Sequence, residues 1–221
     1  MTIVPALLCH TFEDFRSELA RVEGIFDLAQ IDVMDGVFVP GKSFPDIEKI
    51  NELNTKIKFE VHLMVAHPLA EIDRWLEVKN LERIIFHIES KDAPDAVIAK
   101  IRGACKQVGI ATNPETPLSA IEKYYDQIDE VLFMAVHPGA QGRQFVSEIK
   151  DKIIDCAAAA PNLSIAIDGS INAENIGEIK SWGVKIFCIG SALLGAPDIN
   201  IAYQKLQACL GINGIDKTTQ I

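Results

Sequence analysis

Gln30-Ile31-Asp32-Val33-Met34-Asp35-Gly36 closes an apolar run that begins at Leu28. Extended backbone alternates its side chains, so Gln30, Asp32 and Met34 share one face and Ile31 and Val33 the other. In a sheet wrapped by helices the branched apolar face packs outward, which turns Gln30, Asp32 and Met34 toward the interior of a closed barrel. The same alternation groups Glu60, His62 and Met64 in FEVHLMV, Ala166, Asp168 and Ser170 in the run through IDGS, and Ile85 with His87 and Glu89. Asp32, His62 and Asp168 are therefore expected to converge where the strands end, the face on which a parallel barrel keeps its chemistry.

Outward from that stretch, strand-like runs near 2–7, 28–34, 57–63, 83–88, 108–112, 130–136, 164–167 and 185–190 alternate with helical patterns. One such pattern, Phe12–Val22, puts Phe12, Phe15, Leu19 and Val22 on a single stripe. Thr11 is expected to cap this first helix, Thr116 to cap one that starts at Pro117, and Asn172 to cap the seventh. Strand and helix alternate about eight times with no linker rich in glycine, proline or serine, which predicts a single-domain (β/α)8 barrel over residues 1–210. A doubly wound sheet would place a GxGxxG turn after the first strand, where Leu8-Cys9-His10-Thr11 stands instead. The tail over 211–221 (GINGIDKTTQI) has little periodicity and is expected to fray or pack on a neighbour.

Of the 221 residues 48% are hydrophobic and 24% charged, an ordinary balance for a globular protein. No apolar run reaches the roughly 18–20 residues a membrane span needs, and the N-terminus lacks the basic region of a secretory signal. A net charge of −10 speaks against nucleic acid or an anionic membrane as a general partner. Five cysteines without CxxC spacing argue against a zinc cluster or a disulfide framework. A cytoplasmic protein with reduced, mostly buried thiols is expected.

Two carboxylates and a histidine around one pocket suit two tasks. They can bind a divalent cation through oxygen and nitrogen, or serve as general acid and general base on opposite faces of a flat intermediate. Taken singly, the same residues equally suit caps or hydrogen-bonded positions where strands meet loops. Glycines follow the late strands in His137-Pro138-Gly139-Ala140-Gln141-Gly142, Gly169-Ser170 and Gly190-Ser191. Loops at those positions are the usual phosphate cradle of a barrel, because glycine lets the backbone approach the anion. Arg143 would add charge there.

The residues now quoted resemble the ribulose-phosphate 3-epimerase family, including allulose-6-phosphate 3-epimerases, from about Ile3 to Leu210. The matches are Asp32-Val33-Met34-Asp35-Gly36 with Phe38-Val39-Pro40, Val61-His62-Leu63-Met64, Asn113-Pro114-Glu115-Thr116-Pro117, Pro138-Gly139 with Gly142, Ile167-Asp168-Gly169-Ser170 and Gly190-Ser191-Ala192. The resemblance implies epimerisation of a ketose phosphate at C3, of the D-ribulose 5-phosphate to D-xylulose 5-phosphate type, through an ene-diolate. It implies Asp32 and Asp168 as the two-sided acid/base pair and, with His62, as ligands of a divalent metal (Zn, Fe, Mn or Mg). It further implies Met34, Met64 and Met134 against the planar intermediate. The amides of Gly139, Ala140, Gln141, Gly142, Gly169, Ser170, Gly190 and Ser191 would lie on the phosphate. A small-molecule sugar phosphate is the implied partner, and a homo-oligomer the implied assembly.

The chain departs from the pattern at the metal site. Gln30 stands where a second histidine ligand is usual, and Ala6 where a serine is usual. An amide oxygen is a harder donor than imidazole, suited to magnesium, calcium or manganese more than zinc, so a weaker site is expected. Gln30 is thus a doubtful ligand, and His10 a candidate replacement. The alternative reading is a sugar-phosphate-binding homologue impaired in catalysis. Aldol or decarboxylase chemistry of related barrels would require a lysine in the Asp32–Asp35 segment, which has none.

Overall fold

The computed structural model describes residues 1–44, 46–139 and 144–212. Eight strands pair in chain order, all parallel, and the first closes on the last: β1 Thr2–Leu7, β2 Leu28–Met34, β3 Lys58–Met64, β4 Leu81–His87, β5 Gln107–Thr112, β6 Glu130–Met134, β7 Ser164–Asp168 and β8 Ile186–Ile189. Between them run α1 Phe12–Val22, α2 Ile47–Glu52, α3 Pro68–Trp75, α4 Pro94–Gly103, α5 Ile149–Ala159, α6 Ile176–Lys180, the short α7 Ser191–Leu194 and finally α8 Ile199–Leu210. This is the expected (β/α)8 barrel, a single domain. Its largest departure from the predicted pattern is between β5 and β6, where two 3-10 segments, Leu118–Ala120 and Glu122–Gln127, replace a regular helix.

Local chemistry accounts for the helix starts. Thr11 caps α1, its hydroxyl accepting from Asp14 N, with Glu13 and Asp14 in the first turn to complement the exposed amides. Proline opens α3 and α4, where its missing N–H costs nothing. The other two expected caps are corrected. The Thr116 hydroxyl bonds the Glu89 carboxylate instead of a helix amide. Asn172 Oδ1 accepts from Glu174 N in a turn, and α6 begins after Asn175. Both side chains found partners outside the helix they precede, as short polar side chains near a turn readily do.

Packing follows the alternation read from the sequence. Ile31, Val33, Phe59, Val61, Leu63, Ile84 and Phe86 face outward into a continuous apolar layer with Phe15, Leu19 and Val22 of α1 and Ile72 and Trp75 of α3. A second, smaller cluster lies inside the barrel: Val4, Ala6, Ile85, Ala111, Leu132, Met134, Val136, Ala166 and Cys188. The barrel lumen is thus filled by side chains, and the polar ones among them form two groups. The lower group is Glu60, Arg83 and Glu130, with one guanidinium nitrogen, Arg83 Nη1, bonding Glu60 Oε2 at 2.7 Å and Glu130 Oε2 as well. The upper group is the candidate site. All five cysteines are free, and most are buried as expected: Cys9, Cys156 and Cys188 are buried while Cys105 and Cys209 are exposed. Among the described residues, no helix is long and apolar enough to cross a membrane.

Candidate active site

Parallel register carries the alternation of β2 into its neighbour: Asp32 stands beside His62 and Met34 beside Met64. Across the barrel, Met134 is level with Asp168 in the pairing of β6 with β7. One atom each from Asp32, His62 and Asp168 lies within 4.8 Å of the others. His62 Nδ1 is 3.0 Å from Asp32 Oδ1 and 3.9 Å from Asp168 Oδ2. Above them opens a cavity lined by Ala6, Leu8, Met64, Met134, Val136, Pro138, Gly139, Gly169, Ser170, Ile171, Gly190 and Ser191.

The sequence-predicted residues sort accordingly. Asp32, His62, Asp168, Met64, Met134, Gly139, Gly169, Ser170, Gly190 and Ser191 all line this cavity. Met34 does not; it packs against Val39 and Met64, one contact back from the opening. Ala140, Gln141, Gly142 and Arg143 lie outside the described residues, as does the tail beyond residue 212. His10 is exposed with its Nδ1 2.8 Å from the Lys42 carbonyl, and His137 pairs with Glu115 at 3.3 Å. His10 therefore does not replace the missing ligand.

Gln30 lies directly beneath the acidic pair, fully buried. Its amide nitrogen donates to Asp32 Oδ1 at 2.9 Å and to Asp168 Oδ2 at 2.7 Å. A single neutral group thus bridges both carboxylates from below, and its carbonyl Oε1 is buried without a hydrogen-bond partner. The sequence places Gln30 in the interior as a doubtful ligand and does not show it as a bridge between the two acids. Its bridging contact reaches a residue 138 positions away, which no local pattern reveals.

Charge is distributed unevenly. Burial, then repulsion from Asp32, pushes the Asp168 carboxyl up to about 7, against the smaller pull of His62 and the Gln30 amide. Burial disfavours a charged His62, but the hydrogen bond and charge of Asp32, with Asp168 and Glu60, outweigh it and raise its pKa. Just past the end of β2, Asp35 holds the next turn: its carboxylate accepts from Val37 N, Phe38 N and Ala66 N at 2.7, 2.8 and 2.7 Å. Burial opposes that charge, and these backbone bonds override it and lower the pKa. The Asp-Gly that ended the opening stretch is a clamp between the β2 and β3 loops, a role its sequence position did not disclose.

The donor set fits a divalent cation. Two carboxylates and one imidazole are gathered at one point, and an unpaired amide oxygen lies below. The same acids, one of which holds its proton near neutrality, suit proton transfer. A profile of the ribulose-phosphate 3 epimerase family matches residues 2–194.

The chain belongs to the ribulose-phosphate 3-epimerase family.

Members acting as carbohydrate isomerases resemble it over nearly its full length. A ribulose-phosphate 3-epimerase of Mycobacterium bovis is 33% identical over 220 residues, covering 95% of this chain and 93% of that protein. Ribulose-phosphate 3-epimerase 2 of Cupriavidus necator is 34% identical over 213 residues, covering 91% and 88%. Among solved structures, 3-hexulose-6-phosphate synthase from Salmonella typhimurium superposes with a TM-score of 0.69 at 17% identity, over 96% of this chain and 100% of that one. At that identity the likeness bears on the barrel alone. Family membership makes this chain a sugar-phosphate 3-epimerase by kinship, and Asp32, His62 and Asp168 form a group that could hold a divalent metal.

Proposed function

We propose that the chain epimerises a ketose phosphate at C3, of the D-ribulose 5-phosphate and D-xylulose 5-phosphate type, by two-base proton transfer between Asp32 and Asp168. The observation that carries this reading is the meeting of Asp32, His62 and Asp168 under a cavity rimmed by Gly139, Gly169-Ser170 and Gly190-Ser191. The late-strand loops would receive the phosphate on backbone amides, leaving the carbon skeleton over the acidic pair. One carboxylate takes the C3 proton and the other returns a proton from the opposite side. Asp168, with its pKa near 7, can begin in either state. Met64 and Met134 supply apolar, polarisable walls for a planar intermediate and keep water away from it. Asp32, His62 and Asp168 would hold the divalent metal, which when bound supplies Lewis-acid stabilisation of the developing oxygen charge. The test is exchange of the C3 proton with deuterium oxide in ribulose 5-phosphate. Exchange is expected in the parent and should fall by about 10²–10⁴-fold in Asp32→Asn or Asp168→Asn.

One observation favours a second reading, a sugar-phosphate binder without turnover. The Gln30 amide already satisfies both carboxylates where a second imidazole would draw a cation. Binding of a sugar phosphate by protein that neither retains metal nor exchanges the C3 proton would select it.

A further inference from the structure

Behind His62 runs a line of polar groups, from buried His87 to the partly exposed Glu89, that the reaction as proposed does not touch. His62 Nε2 is 2.9 Å from His87 Nε2. His87 Nδ1 is in turn 3.2 Å from Glu89 Oε2. The other oxygen, Glu89 Oε1, accepts from Asn113 N at 2.8 Å and from the Thr116 hydroxyl. Both histidines are 0% exposed. The Phe38 ring lies 4.8 Å from His87, an apolar neighbour that disfavours an imidazolium there.

Proton counting along this line fixes the protons between His62, His87 and Glu89. An ionised carboxylate only accepts, so His87 carries its proton on Nδ1, toward Glu89. A neutral His87 then offers only a lone pair at Nε2. The contact between the two imidazoles needs one proton, which must come from His62 Nε2. That turns His62 Nδ1 to the oxygens of Asp32 and Asp168, where in the metal-free protein it shares a proton with Asp32 and where a neutral His62 offers its lone pair to a cation. An imidazole lone pair facing two carboxylates is an arrangement of acceptors that a cation completes.

We infer that His87 and Glu89 are positioning residues that fix the tautomer and ring plane of His62, so that Nδ1 is presented to the acidic pair as a ligand. This rests on the metal-dependent reading above, and deepens it by naming what makes His62 competent. Neither residue itself lines the cavity, and His87 reaches it only through His62, so their effect is on metal retention and turnover and not on capture of the sugar phosphate.

Glu89→Gln is the discriminating variant. With its oxygen kept on Asn113 N and the Thr116 hydroxyl, the new amide N–H₂ faces His87 Nδ1. His87 must then carry its proton on Nε2, donate it to His62 Nε2, and force the His62 proton onto Nδ1. His87→Gln is the conservative control, because its amide can accept from His62 and donate to Glu89. Full-length protein would be loaded with Co²⁺ or Zn²⁺ and titrated with a chelator, with the Co²⁺ absorption band and imidazole ¹⁵N shifts recorded in parallel. Glu89→Gln should weaken metal retention by about 10–100-fold, alter the Co²⁺ band, and remove the proton from His62 Nε2 in the metal-free protein. It should lower kcat while KM stays within about twofold, and His87→Gln should retain metal within about threefold of the parent. Unchanged metal affinity and an unchanged His62 tautomer in a folded Glu89→Gln would overturn the inference while leaving the epimerase reading intact. A parent that binds neither Co²⁺ nor Zn²⁺ would remove the metal-dependent reading and this inference with it.

Discussion

Replacing Gln30 with histidine would put an imidazole nitrogen where an amide N–H₂ now bonds Asp32 Oδ1 at 2.9 Å and Asp168 Oδ2 at 2.7 Å. The side chain is fully buried, so the exchange is between donor types in a fixed space. The amide holds the two acids together by neutral hydrogen bonds and offers a cation only its rear oxygen, whereas imidazole offers a softer nitrogen. Gln30→His is expected to raise Zn²⁺ affinity by on the order of tenfold or more, read by chelator competition. The preference of the parent should lie with Mn²⁺ or Mg²⁺ relative to the variant. Equal Zn²⁺ affinity in both proteins would show that Gln30 has no part in holding the ion.

At the scale of single elements, the turn after β7 carries the tightest backbone requirement in the site. Gly169 has a φ of +115°, and a Cβ there would stand 2.7 Å from Val136 Cγ2 and 3.0 Å from Val136 N. Gly169→Ala should therefore cost about 1–3 kcal/mol of stability in urea unfolding. It should also raise KM for the sugar phosphate more than it lowers kcat. Strand elements were easily read from the sequence because period-two patterning carries both extent and facing. QIDVMDG alone announced an outward Ile31 and Val33 and an inward Gln30, Asp32 and Met34, and the barrel has them so. Caps were less legible. Thr116 has the composition of a cap, but its hydroxyl is taken by Glu89, 27 residues away in the chain, and the segment after it winds as 3-10. The same limit hid the bridging by Gln30 and the contact of His87 with His62. Alternation gives the side of the sheet, and only the closed geometry says which polar group meets which.

Taken as a whole, the molecule has a lumen with two polar storeys, and the lower one governs stability. Arg83 is a single cation between two carboxylates that are both 0% exposed. Arg83→Met would leave those acids without their counter-charge and should destabilise the fold by about 3–5 kcal/mol, measured by urea denaturation. Burial first, and the charge of Glu60 next, push the Glu130 carboxyl up from 4.5 to about 8, against the pull of Arg83. Between those two values the folded chain binds a proton that the unfolded chain has lost. Stability from this group is accordingly full below pH 4.5 and declines as pH rises toward 8. Glu130→Gln should flatten that part of the pH dependence of unfolding, and an unaltered slope would show that the proton resides elsewhere.

Because β1 hydrogen-bonds β8, every strand of the sheet has a neighbour on both sides. The ring offers no unpaired row of amides and carbonyls onto which another copy could add a strand. Among the described residues the barrel sheet offers no edge for association, which leaves the surfaces of the surrounding helices and loops. Growth of a continuous intermolecular ladder would first require the circle of strands to be broken.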